Sequence, residues 1–183
     1  MPRKKRKLAA ATADDAEPYP AFARPSPSDC RAATAALVGL HGARDRPSSG
    51  SRTVLDSLVS TMLSQNTTDV TSARAFAQLK AAFPTWQAAL TAPHADVAAA
   101  IRCCGLADIR AERIQAVLRE LRETQKDELS LEHLRSLPTE EVKQALQRFK
   151  GVGPKTASCV CMFNLGRADF PVDTHVAAFA TPI

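Results

Sequence analysis

The chain has 183 residues, which suits one domain of roughly 100–200 residues with short tails. Its 24 Lys and Arg residues exceed its 19 Asp and Glu residues by five, and five of the basic residues lie together from Arg3 to Lys7. The remaining basic and acidic residues are equal in number, which excludes a uniformly basic surface. Hydrophobic residues make up 45%, which argues against wholesale disorder, and no apolar run approaches the roughly 20 residues of a membrane span.

Residues 1–28 are predicted to form a disordered basic and proline-rich tail, because four prolines fall within ten residues and no apolar periodicity is present. The basic run that starts after Pro2 and ends at Lys7 resembles a nuclear localisation signal. It therefore predicts a nuclear protein with an import receptor as partner. The alternative is a solvated basic tail that touches nucleic acid non-specifically.

From residue 29 onward the sequence predicts helices, with Ser28 or Asp29 capping a first helix that ends near Leu40. A second helix follows from apolar residues that repeat on one face: Val54, Leu55, Leu58, Val59, Met62 and Leu63. A third is predicted from Asp69 to Phe83. Its expected inward residues are Val70, Ala73, Phe76, Ala77 and either Leu79 or the aliphatic stem of Lys80.

Two short helices are predicted near residues 86–90 and 96–103, and Asp108 is expected to cap a longer helix through Leu121. The inward stripe of this longer helix is Ile114, Val117, Leu118 and Leu121. Thr139 is a predicted N-cap for the next helix. After a Gly-Val-Gly turn, Pro154 suits the first position of a last helix, and Gly166 is its predicted end. Because this helix is apolar nearly all round, it is predicted to be central and buried.

The Gly-Val-Gly turn can expose successive backbone N–H groups beside a helix N-terminus, an arrangement that favours anions. The surrounding residues 142–168 contain five basic residues and no acidic residue. This pattern predicts a phosphate-binding site for nucleic acid, although taken alone it also fits an ordinary turn between two helices with solvated lysines.

The segment that reads Gly-Val-Gly-Pro-Lys-Thr-Ala and then Val-Asp-Thr-His resembles the helix-hairpin-helix signature of endonuclease III-like DNA glycosylases, the HhH-GPD superfamily. The 18-residue separation of Lys155 and Asp173 also matches this family. Residues 62–69 and 101–114 resemble two further family segments in the right order. The resemblance implies an all-α helical bundle over residues 29–176, followed by an atypical end at residues 177–183.

The same resemblance implies a bifunctional DNA glycosylase/AP lyase of base excision repair that flips a damaged or modified base out of double-stranded DNA. Lys155 would attack the sugar C1′ and form a Schiff base, followed by β-elimination, and burial beside a helix N-terminus would help it lose its proton. Asp173 would stabilise charge and move protons, and would cap a helix that begins at Thr174. The implied DNA-binding residues are Gln65, Asn66, Leu106, Lys150, Gly151, Val152, Gly153 and Thr156. In this family, side chains from two loops enter the gap that the flipped base leaves in the duplex, and the resemblance assigns this part to Asn66 and Leu106. Gln65 is the alternative to Asn66, and a core leucine is the alternative for Leu106.

Many relatives hold a [4Fe–4S] cluster with four cysteines after the Val-Asp-Thr-His segment, and this chain ends at Ile183 without them. Its five cysteines fit neither a cluster nor a zinc site, and their odd number points to reduced intracellular thiols. His175 is expected to be a packing residue. We therefore expect no metal in this chain, a cluster only in a longer form, and a C-terminally truncated second lobe.

Three functions remain open from the sequence. The bifunctional enzyme is preferred, a non-catalytic helix-hairpin-helix DNA-binding fragment is the alternative, and a monofunctional glycosylase is disfavoured because Lys155 is present. By resemblance the expected substrates are oxidised pyrimidines, with 5-methylcytosine and mismatched thymine as alternatives. A monomer without a membrane partner is expected.

Overall fold

A computed structural model describes residues 26–43, 52–125, 129–174 and 176. The predicted import signal, residues 177–183 and His175 lie outside these ranges. Every regular element within them is helical, as the sequence predicts. None of the helices described has the length and apolar character that crossing a bilayer requires.

The α-helices in the described ranges are α1 Pro27–His41, α2 Val54–Ser64, α3 Asp69–Ala82, α4 Trp86–Thr91, α5 His94–Ala100, α6 Ala107–Thr124, α7 Thr139–Gln147 and α8 Pro154–Phe163. Two short 3₁₀ helices lie at Arg102–Cys104 and Glu132–Ser136. Helix α1 belongs to one compact unit, and α2 to α8 form a second.

Helix α1 begins at Pro27, one residue before Ser28 and two before Asp29, the two predicted caps, so residues 27 and 28 are helical and do not belong to the predicted tail. Ser26 is its N-cap: the Ser26 hydroxyl accepts the Asp29 N–H at 3.2 Å, and the Asp29 carboxylate accepts the Ser26 N–H at 3.0 Å. This reciprocal arrangement is a capping box, which satisfies two main-chain donors at the helix start. Asp29 is therefore the third residue of the first turn and not the cap.

Helix α2 is the centre of the second unit. All six of its predicted inward side chains are buried, and it packs against α3, α6 and α8. Both of its ends are held by side chains from other elements: Glu132 Oε1 accepts the Val54 N–H at 2.6 Å, and Arg110 binds carbonyls at the opposite end. An anion at the N-terminus and a cation at the C-terminus both complement the helix dipole.

The prediction that α8 is the central, buried helix is wrong. Its inner face is buried against α2 and α7, but Lys155 and Phe163 are exposed and Cys159 is only partly buried. These three residues follow one another at four-residue intervals and share the outer face of α8. An apolar composition therefore did not require burial on every side.

The inward face predicted for α3 is confirmed at Leu79 and at the partly buried Phe76, and is wrong at its other three positions. Val70 is 81% exposed, Ala73 and Ala77 are exposed, and the buried positions are Ser72, Ala75 and Leu79. Small side chains at positions 72 and 75 allow α3 to approach α2 closely. Because alanine occurs on several sides of this helix, counting apolar residues does not distinguish its faces.

The inward stripe predicted for α6 is confirmed, whereas three helix ends differ from expectation. Helix α6 has no side-chain cap and follows Leu106, whose backbone is left-handed with φ 51°. Thr139 is the first helical residue of α7 and Pro138 stands at the cap position. Helix α8 starts at Pro154 as predicted but ends at Phe163, before Gly166.

Leu58 tests the importance of α2, because its side chain is fully buried at the centre of the core. Leu58→Ala should lower the free energy of unfolding by about 2–5 kcal/mol through lost burial and an unfilled cavity. Leu40→Ala is the matched control, since Leu40 is 78% exposed, and it should stay within about 0.5 kcal/mol. Urea unfolding measures both, and equal losses would contradict the central placement of α2.

Candidate active site at the helical hairpin

The turn between α7 and α8 is tight, and Gly151 is the position that requires glycine. Gly151 has φ +90°, and a Cβ built there would lie 2.7 Å from Cδ of Arg113, a residue of α6. The Val152 N–H donates to the Phe149 carbonyl at 3.1 Å, which closes the turn. Gly153 has an extended backbone, with φ −97° and ψ 178°, and a Cβ there would meet open space. Only Gly151 of the two glycines in this turn therefore needs a backbone conformation that favours glycine.

Lys155 and Asp173 come together although 18 residues separate them. Lys155 lies in the first turn of α8, and its Nζ is 3.3 Å from Asp173 Oδ2. The burial expected for Lys155 is not found, because 52% of its side chain is exposed on the outer face of α8. The pair thus combines an accessible amine with an adjacent carboxylate.

The second oxygen of Asp173 performs the capping role expected from the sequence. Asp173 Oδ1 accepts the Val176 N–H at 2.8 Å. This bond orients the carboxylate, so that its other oxygen faces Lys155. Sequence separation and local capping together define the geometry of the pair.

Residues 164–173, called the strap below, carry Asp173 back to α8 without forming a helix. Side chains fix its first half. Asn164 Nδ2 donates to the Arg52 carbonyl at 2.9 Å, and the Arg167 guanidinium donates to the carbonyls of Leu134 at 3.2 Å and Arg135 at 3.0 Å. These bonds compensate for the absence of a regular hydrogen-bond ladder.

Asp169 fixes the second half of the strap. Its side chain is 11% exposed, lies 3.3 Å from Lys143 Nζ of α7, and accepts the Phe170 N–H at 2.8 Å. Burial raises the pKa of Asp169, but the Phe170 N–H and the Lys143 ammonium outweigh burial and hold this pKa below its ordinary value. Burial likewise lowers the pKa of Lys143, and its contacts with Glu140 and Asp169 outweigh burial, so that the pKa of Lys143 is raised.

Asn66 and Leu106 lie in two neighbouring loops, residues 65–68 and 105–106. Both are exposed, Leu106 by 61%, and both have left-handed backbones with φ 53° and 51°. Outside glycine such angles are uncommon and carry strain for a residue such as leucine. An exposed, strained leucine contributes little to the core, in contrast to an ordinary packing leucine.

A buried arginine joins these two loops. Arg110, which is 6% exposed, donates from Nε to the Gly105 carbonyl at 2.9 Å and from one terminal nitrogen to the Met62 and Leu63 carbonyls at 2.8 and 3.2 Å. Its other terminal nitrogen donates to the Gln65 carbonyl. One guanidinium therefore sets the relative position of both loops.

Sequence reasoning missed Arg110, although a signal was available. Arg110 lies four residues before Ile114 on the inward stripe of α6, so a charged residue occupies a position where the pattern demands burial. Buried charges need partners, and main-chain carbonyls at the end of α2 are the partners here.

The side chain of Gln65 reaches from the first of these loops to the hairpin. Its Nε2 donates to the Gly151 carbonyl at 3.0 Å and to Thr156 Oγ1 at 3.2 Å. Val152 and Thr156 are each 6% exposed, so neither side chain offers much surface to an external ligand. Lys150 is 78% exposed and lies 3.8 Å from Glu112.

The strongly cationic character expected around the hairpin is reduced in three dimensions. Carboxylates from outside residues 142–168 lie within 4 Å of its lysines: Glu140 and Asp169 beside Lys143, Glu112 beside Lys150, and Asp173 beside Lys155. Residues 142–168 contain no acidic residue, but the fold brings carboxylates from other segments of the chain next to their lysines.

The residues present do not fit an iron–sulfur cluster. Cys104 and Cys161 are buried in different elements, and burial raises the pKa of both thiols, which disfavours the thiolate that such a ligand requires. In the described part of the chain, His, Cys, Asp and Glu nowhere form a group of three or more that could hold a metal ion.

Comparison with known proteins decides the family. A model described as HhH-GPD superfamily base excision DNA repair protein matches residues 59–183. This chain belongs to that superfamily. The sequence-based resemblance and the predicted all-helical HhH-GPD fold are therefore confirmed.

Individual relatives and solved structures are consistent with this family assignment. It is 44% identical over 198 aligned positions to an Arabidopsis thaliana protein provisionally named a DNA glycosylase, covering 92% of this chain and 67% of that protein. It is 37% identical to DNA glycosylase/AP lyase ROS1 of Arabidopsis thaliana, over 52% of this chain but 7% of that protein. The structure of a non-covalent endonuclease III–DNA complex superimposes with a TM-score of 0.65 at 22% identity, covering 84% of this chain and 67% of that one.

The hairpin glycines give a first test. Gly151→Ala should lower the free energy of unfolding by about 1–3 kcal/mol, because it adds both backbone strain and a collision with Arg113. Gly153→Ala is the control and should change it by about 0.5 kcal/mol or less, since its backbone suits alanine and the space is open. Denaturant unfolding compares them, and equal effects would show that the turn does not depend on Gly151.

Asp169 gives a pH test. Because its folded pKa lies below the unfolded value of about 3.9, its stabilising contribution is complete above that value and is lost as pH falls through the folded pKa. Asp169→Asn should therefore lose less unfolding free energy than the unmodified chain between about pH 5 and pH 2. Asp108→Asn, which removes an 88% exposed carboxylate that lies beside His94 and away from the strap, controls for the loss of one negative charge. An unchanged slope in Asp169→Asn would contradict its anchoring role.

Proposed function

We propose that this protein is a bifunctional DNA glycosylase/AP lyase of base excision repair, acting on double-stranded DNA that contains a damaged or modified base. The observation that carries this proposal is the 3.3 Å separation of Lys155 Nζ and Asp173 Oδ2 at the start of α8. An amine and a carboxylate at this distance are the two groups that the reaction needs.

The reaction begins with removal of a proton from the Lys155 ammonium, for which the Asp173 carboxylate is the nearby acceptor. The neutral amine then attacks the sugar C1′, the bond between C1′ and the base breaks, and the proton that Asp173 took from Lys155 passes to the departing base. Ring opening gives a Schiff base between Lys155 and the sugar. Loss of a C2′ proton then expels the 3′ phosphate by β-elimination, and water releases the enzyme amine.

The two loops that carry Asn66 and Leu106, called the gap-filling loops below, support a role in DNA binding. A flipped nucleotide leaves a gap in the stack, and proteins often fill such gaps with inserted side chains. Asn66 offers an exposed amide and Leu106 an exposed apolar side chain, each held outward by a left-handed backbone. The amide-lined turn at Gly151 and Gly153 would contact a phosphate without reading sequence.

A second candidate is DNA binding without turnover. The Lys155 side chain is 52% exposed on the outer face of α8. This exposure favours a protein that engages the duplex without enclosing a base beside the amine. A monofunctional glycosylase remains disfavoured, because it would have no use for a lysine at position 155.

Borohydride trapping tests the proposal. The full chain, incubated with a duplex that contains one abasic site, should form a covalent adduct in borohydride and nick the strand without it. Lys155→Ala should abolish the adduct, whereas Lys80→Ala should retain it, since the Lys80 ammonium lies over the Trp86 ring on α4. Salt-dependent binding with neither adduct nor nick would select the second candidate.

Asp173→Asn separates the two roles of the pair. Asparagine retains a side-chain acceptor for the Val176 N–H but cannot take a proton from Lys155, so adduct formation should slow by about 100-fold or more at neutral pH. Duplexes with an oxidised pyrimidine, 5-methylcytosine or a mismatched thymine then identify the base. An unchanged trapping rate in Asp173→Asn would remove Asp173 from the mechanism.

A further inference from the structure

Gln65 directly joins the two parts of the proposed site. It stands at the C-cap of α2, where the backbone leaves the helix with φ −61° and ψ 125°. Its side chain crosses to the hairpin and donates to the Gly151 carbonyl and the Thr156 hydroxyl, 86 and 91 residues further along the chain. Both hydrogen bonds are partly buried, which strengthens them relative to bonds in open solvent.

The two residues joined by this contact are each next in sequence to a residue of the proposed site. Gln65 immediately precedes Asn66, the exposed residue of one gap-filling loop, and Thr156 immediately follows Lys155. The 3.2 Å bond between Gln65 and Thr156 therefore connects the position next to the gap-filling side chain with the position next to the amine.

Arg110 makes this connection rigid. Its guanidinium holds the main-chain carbonyl of Gln65 while it also holds Gly105, which precedes Leu106. The backbone of Gln65 is thus tied to both gap-filling loops, and its side chain is tied to the hairpin. Side chains locked by such contacts hold reacting groups within the small tolerances that catalysis needs.

The sequence allowed another role for Gln65, namely insertion into DNA in place of Asn66. The amide nitrogen of Gln65 already donates to two acceptors in the protein, and insertion would require breaking both bonds. Asn66 is exposed, and its backbone is left-handed. The geometry therefore favours a supporting role for Gln65 and DNA contact for Asn66.

We propose that Gln65 is a positioning residue that keeps the gap-filling loops in register with Lys155, so that filling the gap and placing the sugar at the amine occur together. This inference rests on the proposed function and assigns Gln65 a part in it. Its consequence is specific: the coupling matters in a duplex, where a gap must be filled, and not in single-stranded DNA.

The experiment compares Gln65→Met with Gln115→Met in the full chain. Both variants remove a partly or fully buried amide that donates two hydrogen bonds, because Gln115 Nε2 binds the Ala89 and Ala92 carbonyls at 3.1 and 2.9 Å. Gln115 lies on α6 against α4, so its variant controls for the general cost of the lost bonds. Borohydride trapping is measured at saturating protein on one abasic oligonucleotide, as a duplex and as a single strand, with duplex affinity measured separately.

Gln65→Met should slow trapping on the duplex by about tenfold or more, and change duplex affinity and single-strand trapping by less than about threefold. Gln115→Met should change all three by less than about threefold. Unchanged duplex trapping in Gln65→Met would overturn the inference. An equal loss on both substrates would also overturn it, because Gln65 would then act on Lys155 alone.

Two further readouts keep the test decisive. If Gln65→Met melts below the assay temperature, Thr156→Val, which removes one acceptor from the same network, should show the same duplex-specific loss, and its absence would overturn the inference. If the unmodified chain traps neither substrate, the proposed lyase function fails, an outcome distinct from normal trapping in both the unmodified chain and Gln65→Met.

Discussion

The candidate site depends on how the buried charge of Arg110 is satisfied. A guanidinium with almost no access to water needs acceptors, and a helix end offers carbonyls that lack partners within the helix. Arg110 meets those carbonyls at the end of α2, next to Gln65, and also binds Gly105. With Glu132 at the opposite end of α2, the central helix is oriented by one anion and one cation from elsewhere in the chain. The loops, and through Gln65 the hairpin, take their positions from this arrangement.

The sequence predicted most of the helices and the central pairing of the site. The helical repeat of apolar residues in α2 and α6 identified their buried faces. The family resemblance, supported by the 18-residue separation, predicted that Lys155 and Asp173 act as a pair, and their side chains are in contact. It failed where local pattern carries little information. Alanine on several sides hid the face of α3, and the anchors of the strap, such as Asp169, act through long-range contacts that no spacing reveals. The direction of the Gln65 side chain likewise depends on a hairpin distant in sequence.

Local charge along the chain proved a poor guide to local charge in space. The hairpin region looked uniformly cationic in sequence, yet carboxylates from α6, α7 and the strap lie beside three of its lysines. One of these, Asp173, belongs to the candidate reaction, and another, Asp169, fixes the segment that carries it. Affinity for a phosphate backbone would therefore come as much from main-chain amides at the turn as from lysine charge.

The left-handed backbone at Leu106 has a consequence for the energetics of the whole molecule. Leucine in this conformation costs about 1–2 kcal/mol, and its side chain remains largely in water. In the free protein, glycine would be easier to accommodate at this position, so the fold alone gives no reason for leucine. Burial of that side chain between stacked bases would return a comparable free energy. The unbound chain would then be less stable than it could be, and the deficit would be reversed only when a duplex is engaged.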